Sequence, residues 1–201
     1  MKTDTDKILE SILEKLSKME YVKSAEIPNI DLYMDQVTSF MNSHLNGAKR
    51  YEDDKILTKT MINNYAKNRL LPAPEKKKYS KEHILVLIFI YYFKNILPIG
   101  DIQSILNPLT ERYFDNGYEL NLEKIYEEVF SLEKEQIEYL KENLKRDYRR
   151  AKGTFAEEAE EDRDFLQTFS FICMLSYDIY IRKQIIERLI DSSLRKENEK
   201  K

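Results

Sequence analysis

The stretch Thr58-Lys59-Thr60-Met61-Ile62-Asn63-Asn64-Tyr65-Ala66-Lys67-Asn68-Arg69-Leu70-Leu71-Pro72-Ala73-Pro74 holds a short helix with a marked start and a forced stop. Thr58 is an N-cap residue type, whose oxygen can accept from a backbone N–H of the first turn. Ile62, Tyr65 and Ala66 recur at helical spacing and define an inner side. Lys59, Thr60, Asn63, Asn64 and Lys67 fall on the outer side. A residue before proline is driven towards extended conformations, so Leu71-Pro72 ends the helix expected over Lys59–Arg69. A basic extended stretch, Glu75-Lys76-Lys77-Lys78, then leads to Tyr79.

Downstream, Ser80 is an N-cap for a helix over Lys81–Asn95. Its centre, Ile84 to Phe93, is ten apolar or aromatic residues in a row. A membrane span needs about 20, so the run is expected to be a helix buried on all sides of a soluble domain. Pro98 opens a further short helix, Ile99–Leu106, with Ile102, Ile105 and Leu106 facing inward. Upstream, Ile8, Leu9, Ile12, Leu13, Leu16 and Met19 make Asp6–Val22 an amphipathic helix. After Pro28, Asp31 is the expected N-cap of a second helix with apolar positions Tyr33, Val37, Phe40, Met41 and Leu45. Asn46-Gly47 is expected to end it with the glycine in a left-handed C-cap, and Ala48 to Asp54 is a polar loop.

Asn107-Pro108 and Asp115-Asn116-Gly117 are turn signals. They divide the chain into an N-terminal amphipathic helix (1–26), a second segment (27–106), a linker (107–121), a C-terminal helical domain (122–195) and a tail (196–201). In the C-terminal part, Leu122, Ile125, Tyr126, Val129 and Phe130 form one stripe. Ile137, Leu140, Leu144 and Tyr148 form another. A last helix over about 156–194 is apolar over a wide arc in its middle, so it needs cover from other helices or from a second subunit. Cys173, on its most apolar part, is expected to be a small core residue.

Composition agrees with an all-α chain. Only 4 Gly and 5 Pro occur in 201 residues, which argues against sandwiches, barrels and glycine-rich phosphate loops. One cysteine cannot make an internal disulfide. The opening Met1-Lys2-Thr3-Asp4 lacks the apolar run of a signal peptide, so a reducing cytoplasm is expected. His44 and His83 are far apart with no cysteine cluster, so no metal site is expected. The acids Glu157 to Asp162 read as a solvated first helical turn, favourable to the helix dipole. No nucleophile elbow, Walker loop, dinucleotide glycine motif or His-Glu-x-x-His occurs. No cofactor and no enzymatic activity are expected.

The charge is uneven. Lys55 to Lys81 holds eight basic residues against Glu75, a local charge of +7 inside a chain whose total is −3. A basic element in an acidic protein is the electrostatic footprint of a phosphate backbone. The order of elements, a short polar-faced helix followed by a basic turn and a buried helix, is that of a recognition helix and a wing. Thr58 and Thr60 can donate to phosphate oxygens at the helix N-terminus, and Asn63 and Asn64 carry the amide that pairs with adenine. Lys59, Lys67, Lys76, Lys77 and Lys78 suit backbone phosphates. Tyr79 either packs or bonds phosphate.

The segment Thr58 to Pro74 resembles the recognition helix of MerR-type winged-helix regulators, in which Thr-Ile-Arg-Tyr-Tyr leads to Gly-Leu-Leu-Pro. Tyr79-Ser80-Lys81-Glu82-His83-Ile84 resembles the Tyr-Ser-Glu-Glu-Asp-Leu after their wing. Leu97 to Leu106 is similar to their Phe-Ser-Leu-Glu-Glu-Ile motif. Ile27 to Val37 together with Leu57 to Lys67 resembles a bacterial family of unknown function described as MerR-like. The resemblance implies a winged helix-turn-helix over 27–106 that binds double-stranded DNA in transcription regulation. Ile62 and Tyr65 take the places of the motif's Ile and second Tyr, Asn63 and Asn64 those of its Arg and first Tyr, and Tyr79 that of the wing-end tyrosine. It also implies a homodimer, for which the C-terminal helices are the expected interface, and an effector, small molecule or protein. Arg69 stands where the motif has Gly, the wing is short, and Leu45 to Thr58 is long for a helix-turn-helix. Two further readings stay open: an interaction adaptor whose winged helix does not bind DNA, and a small-ligand pocket among Phe165, Phe169, Tyr177 and Tyr180.

Overall fold

The computed structural model describes residues 5–194. Met1 to Asp4 and the tail expected from Lys196 to Lys201 lie outside the described residues. The elements in chain order are α1 (Thr5–Ser17), β1 (Leu32–Tyr33), α2 (Met34–His44), α3 (Lys59–Lys67), β2 (Lys78–Tyr79), α4 (Lys81–Phe93), α5 (Ile99–Tyr113), α6 (Leu122–Ser131), α7 (Glu133–Lys152) and α8 (Glu160–Leu189). A π-turn, Ile190–Leu194, follows α8. The chain is mostly helical, and β1 and β2 form a two-stranded antiparallel sheet with Leu32 opposite Tyr79 and Tyr33 opposite Lys78. These residues make two compact units, one of 5–20 with 131–185 and one of 21–130 with 186–194.

The larger unit is built around α4. Every residue from His83 to Tyr91 is buried, as expected of a helix without a polar face. Phe89 meets Tyr126 edge-on at 5.5 Å and lies 5.6 Å from Phe130, both on α6. Ile102 and Leu106 of α5, Val37 and Met41 of α2, and Ile62 of α3 belong to the same core. Tyr126 donates its buried hydroxyl to Val22 O at 2.5 Å, and Ser24 Oγ donates to Glu127. Ile190 is buried in this core, with Ile186 and Leu194 packed against it.

The smaller unit has a thinner core: Tyr148, Ala151 and Phe171 are buried, with Leu9, Leu144, Met174 and Leu175 packed against them. Tyr148 donates to Asp6 at 2.7 Å. Gln167 closes the α7–α8 turn by donating to Lys152 O and Thr154 O at 2.7 and 3.0 Å.

Several local expectations are corrected. Asp31 does not cap α2; Leu32 and Tyr33 pair with β2 first, and Gln36 Oε1 then accepts from Tyr33 N at 2.8 Å to start the helix at Met34. Gly47 is not left-handed, and no described glycine has positive φ; α2 stops at His44 and a 3-10 turn, Asn46–Ala48, follows. The helix from Ile99 does not end at Leu106 but runs through Pro108 to Tyr113. Proline removes one donor there, yet buried Leu106 and partly buried Ile105 and Leu109 keep this face on the core. Cys173 is exposed rather than buried: the inner face of α8 is the side carrying Gln167 and Phe171.

Arg69 takes the left-handed conformation, φ 58°, that glycine adopts without steric cost. Leu70 N donates to Tyr65 O at 2.9 Å and Arg69 N to Ala66 O at 3.1 Å. The two bonds are those of a Schellman motif, in which glycine is the usual left-handed residue. Arg69→Gly is expected to raise stability by about 1 kcal/mol, read from the midpoint of urea unfolding; a lower midpoint would show that contacts of the arginine side chain outweigh the backbone relief.

Candidate nucleic-acid interface

The outer face of α3 is set by what the inner face buries. Ile62 and Tyr65 are sunk in the core, while Lys59, Thr60, Asn63, Asn64 and Lys67 are exposed. Thr58 caps the helix, its Oγ1 accepting from Met61 N at 3.2 Å, so its hydroxyl proton remains to donate. Both ends of α3 are pinned. Lys94, just after α4, donates to Ile56 O at 2.7 Å, and Gln103 of α5 donates to Asn68 O at 2.6 Å. Partial burial pushes the Lys94 ammonium below its ordinary pKa. The long Leu45–Thr58 connection is ordered by Asp54, whose carboxylate accepts from Arg50 N and Tyr51 N at 3.0 and 2.9 Å.

The basic stretch is a tight hairpin. Lys78 N donates to Glu75 O at 2.8 Å, and Glu75 and Lys78 form a bridge. Between them Lys76 and Lys77 have φ of 48° and 66°. Two successive positive φ values mark a type I′ turn, a position that favours Asn-Gly. Both lysines are exposed; Lys78 is half-buried, with its Nζ 5.4 Å from the Tyr33 ring centroid. The contact of Lys76 with Glu75, 3.9 Å between fully solvated ends, contributes little.

α2 joins the two basic elements. Its first turn carries Asp35, which is ion-paired with Lys59 of α3, and Tyr33 immediately before it carries Lys78. The start of α3 and the base of the hairpin therefore meet at the N-terminus of α2. Neither Tyr33 nor Asp35 stands out in sequence: Tyr33 reads as an apolar helix position, yet it is a 55%-exposed strand residue. Of the remaining basic residues, Lys81 is bound to Glu123 at 2.7 Å and is thereby tied to α6.

Tyr79 is buried, 3% exposed, and its ring meets that of His83 edge-on at 5.4 Å; of its two sequence readings, it takes the packed one. The aromatic residues Phe165, Phe169, Tyr177 and Tyr180 are exposed rather than gathered in a core. Among the described residues, no group of three or more His, Cys, Asp or Glu could hold a metal ion, and no helix is long and apolar enough to cross a membrane.

The profile of a family described as a domain of unknown function (DUF1836) matches residues 22–129. The chain belongs to that family. No curated protein and no solved structure matches the chain. The DUF1836 span includes α6 as well as the elements between Ile27 and Leu106, and its two ends are joined by the hydrogen bond from Tyr126 to Val22. The hairpin, α2 and α3 all lie within the domain.

His83 anchors the hairpin base of the DUF1836 domain to α4. Its Nδ1 accepts from Ser80 N at 3.0 Å, and its ring lies 4.8 Å from Phe114, edge-on. Burial holds its pKa below the ordinary 6.5, against the opposing pull of the Ala73 and Pro72 backbone and, less strongly, of Asp31 and Asp115. A depressed folded-state value means that the unfolded chain takes up the proton first. The contribution of His83 is therefore complete above the unfolded value and is lost as pH falls towards the folded one. Unfolding free energy should fall as pH drops through the ordinary histidine value of 6.5, and His83→Gln, which can still accept from Ser80 N, should flatten that drop. An unchanged pH profile in the variant would assign the dependence to other groups.

Proposed function

We propose that the chain is a DNA-binding transcription regulator of the cytoplasm, without a catalytic step of its own, whose α3 and lysine hairpin act as a MerR-like winged helix-turn-helix. One observation carries this reading: Lys76 and Lys77 occupy consecutive positive-φ positions at a hairpin tip beside a pinned helix with a polar outer face. Backbone strain of this kind persists where a side chain is required at that place, and two exposed ammonium groups at a tip suit phosphates. In this reading α3 lies in the major groove with Asn63 and Asn64 towards base edges. Thr58, Thr60, Lys59 and Lys67 contact the backbone, and Lys76, Lys77 and Lys78 contact flanking phosphates. The ion pair of Lys59 with Asp35 is largely solvent-exposed, so exchanging the carboxylate for a phosphate costs little.

Asp35 also favours a second reading, since a carboxylate on this face suits a protein surface better than a polyanion. In that adaptor reading α3 and the hairpin dock a protein partner.

Fluorescence anisotropy separates the readings, using a duplex from upstream of the chain's own gene and a scrambled duplex across a salt series. Lys76→Asn with Lys77→Gly should weaken both duplexes alike and lower the salt slope by about 2, at roughly 0.9 per phosphate contact. The same pair should raise stability by about 1–2 kcal/mol through relief of the turn. Asn63→Ala with Asn64→Ala should instead erase about 1–3 kcal/mol of preference for the upstream duplex and leave the salt slope unchanged. Absence of binding to either duplex at low salt would overturn the DNA reading and favour the adaptor.

A further inference from the structure

The last turn of α5 and the connection that follows it border a cavity of about 660 Å³. Tyr113, Phe114, Tyr118 and Leu120 form its apolar wall, and Glu111, Arg112 and Asn116 supply its polar groups. The wall is held from behind. Phe114 packs against the large core, and Asp115, at φ 50°, donates its backbone N–H to Glu82 Oε2 at 2.5 Å. Asn116 Nδ2 donates to Arg112 O at 2.6 Å, which folds the connection back on the helix. Tyr118 nonetheless remains 73% exposed and Leu120 51%. A concave, mainly apolar lining with a few polar groups and a volume between roughly 300 and 1,000 Å³ is the usual form of a small-molecule site.

Two opposite charges stand at this cavity, and neither Glu111 nor Arg112 is ion-paired among the described residues. The Arg112 guanidinium lies over the Tyr113 ring, 5.2 Å from its centroid, where one face of the fork stays available. Glu111 also borders the polar groove along α5 beside Gln103, Ser104 and Asn107.

We propose that the cavity binds a small zwitterion bearing an aromatic ring, in chemical terms an aromatic amino acid. The ring packs among Tyr113, Phe114 and Tyr118, whose edge and offset contacts add to the area they bury. The carboxylate takes charge-assisted hydrogen bonds from Arg112, and the ammonium meets Glu111. The pairing of charges sets the class of ligand: a simple anion is repelled by Glu111, a simple cation by Arg112, and an aliphatic side chain forgoes the ring contacts. Phe114 is also one contact from His83, at 4.8 Å, and His83 one contact from Tyr79 at the base of the lysine hairpin, at 5.4 Å. An occupant that fixes Phe114 therefore braces the histidine that anchors the hairpin. The site stands independently of what the hairpin and α3 bind.

The test is isothermal titration calorimetry of the full chain, with no duplex present, against L-phenylalanine, benzoate, phenethylamine and L-leucine. L-phenylalanine should bind saturably, and the other three, each lacking one of its recognised groups, should bind more weakly. Arg112→Gln should weaken L-phenylalanine by roughly 10- to 100-fold, the size of a lost hydrogen bond to a charged group. Tyr118→Ala should also weaken it, and both variants should keep the parent's helical circular dichroism and urea midpoint because these side chains are exposed. Failure of L-phenylalanine, L-tyrosine and L-tryptophan alike to saturate at millimolar concentration would overturn the proposal. Equal binding of benzoate or L-leucine would overturn the class of ligand, and binding indifferent to both substitutions would overturn the site.

Discussion

Burial of α4 on every side from His83 to Tyr91 is the constraint on which the larger unit depends. A helix with no polar side cannot lie on a surface, so elements of both flanking segments must close around it. α5 and β2 pack directly on α4, and α2, α3 and α6 complete the same core. The closure places the recognition candidate: the buried side of α3 is held by this core, and Lys94, at the end of α4, fixes the carbonyl that precedes α3. The polar face of α3 is thus the residue of a packing problem solved on its other side. That order of causes explains why a nine-residue helix, too short to be stable alone in water, can present Asn63 and Asn64 in a fixed direction.

Backbone strain is concentrated beside that face. Three of the five described non-glycine residues with positive φ are Arg69, Lys76 and Lys77, and no described glycine uses such a conformation. Asp115 and Phe155 occur singly, whereas the two lysines are adjacent. The hairpin is nevertheless held, because Tyr79 at its base is buried, pairs with Leu32 and abuts His83. Stability invested at the base supports a tip whose own conformation is unfavourable.

Much of this was legible in the sequence, for identifiable reasons. The uninterrupted apolar run from Ile84 defined α4, and Thr58 with Ile62 and Tyr65 defined the start and orientation of α3, since caps and periodicity are local signals. The misread features depend on distant partners. Tyr33 has the spacing of a helix position, but pairing with Lys78 draws it into a strand. Pro108 is a turn signal overridden by the burial of Leu106. Gly47 occupies an ordinary conformation, whereas Arg69 takes the left-handed one, because Leu70 and Leu71, both buried, fix the exit of the chain from α3. Apolar periodicity likewise marks both sides of α8 without distinguishing a face buried in its own unit from one left exposed, so the pattern alone sets Cys173 on the wrong side.

The substitution of lysines for the glycine-bearing turn favoured by such a hairpin bears on how the interface would work. An Asn-Gly tip would relieve about 1–2 kcal/mol of left-handed cost in all, and nothing in the fold forbids it, as both side chains are exposed and neither takes part in the core. Nor does the contact with Glu75 offset the strain, since an ion pair open to water contributes at most about 1 kcal/mol. On the DNA reading, two phosphate contacts at the tip each release counterions and supply affinity that does not depend on base sequence, and strain in the free protein is offset in the complex. The tight turn also fixes the backbone from which the two lysines project, so less backbone entropy is lost on binding than with a flexible lysine loop. On that reading the division of labour is physical: the hairpin would supply salt-dependent affinity, while α3, pinned at both ends, would supply discrimination.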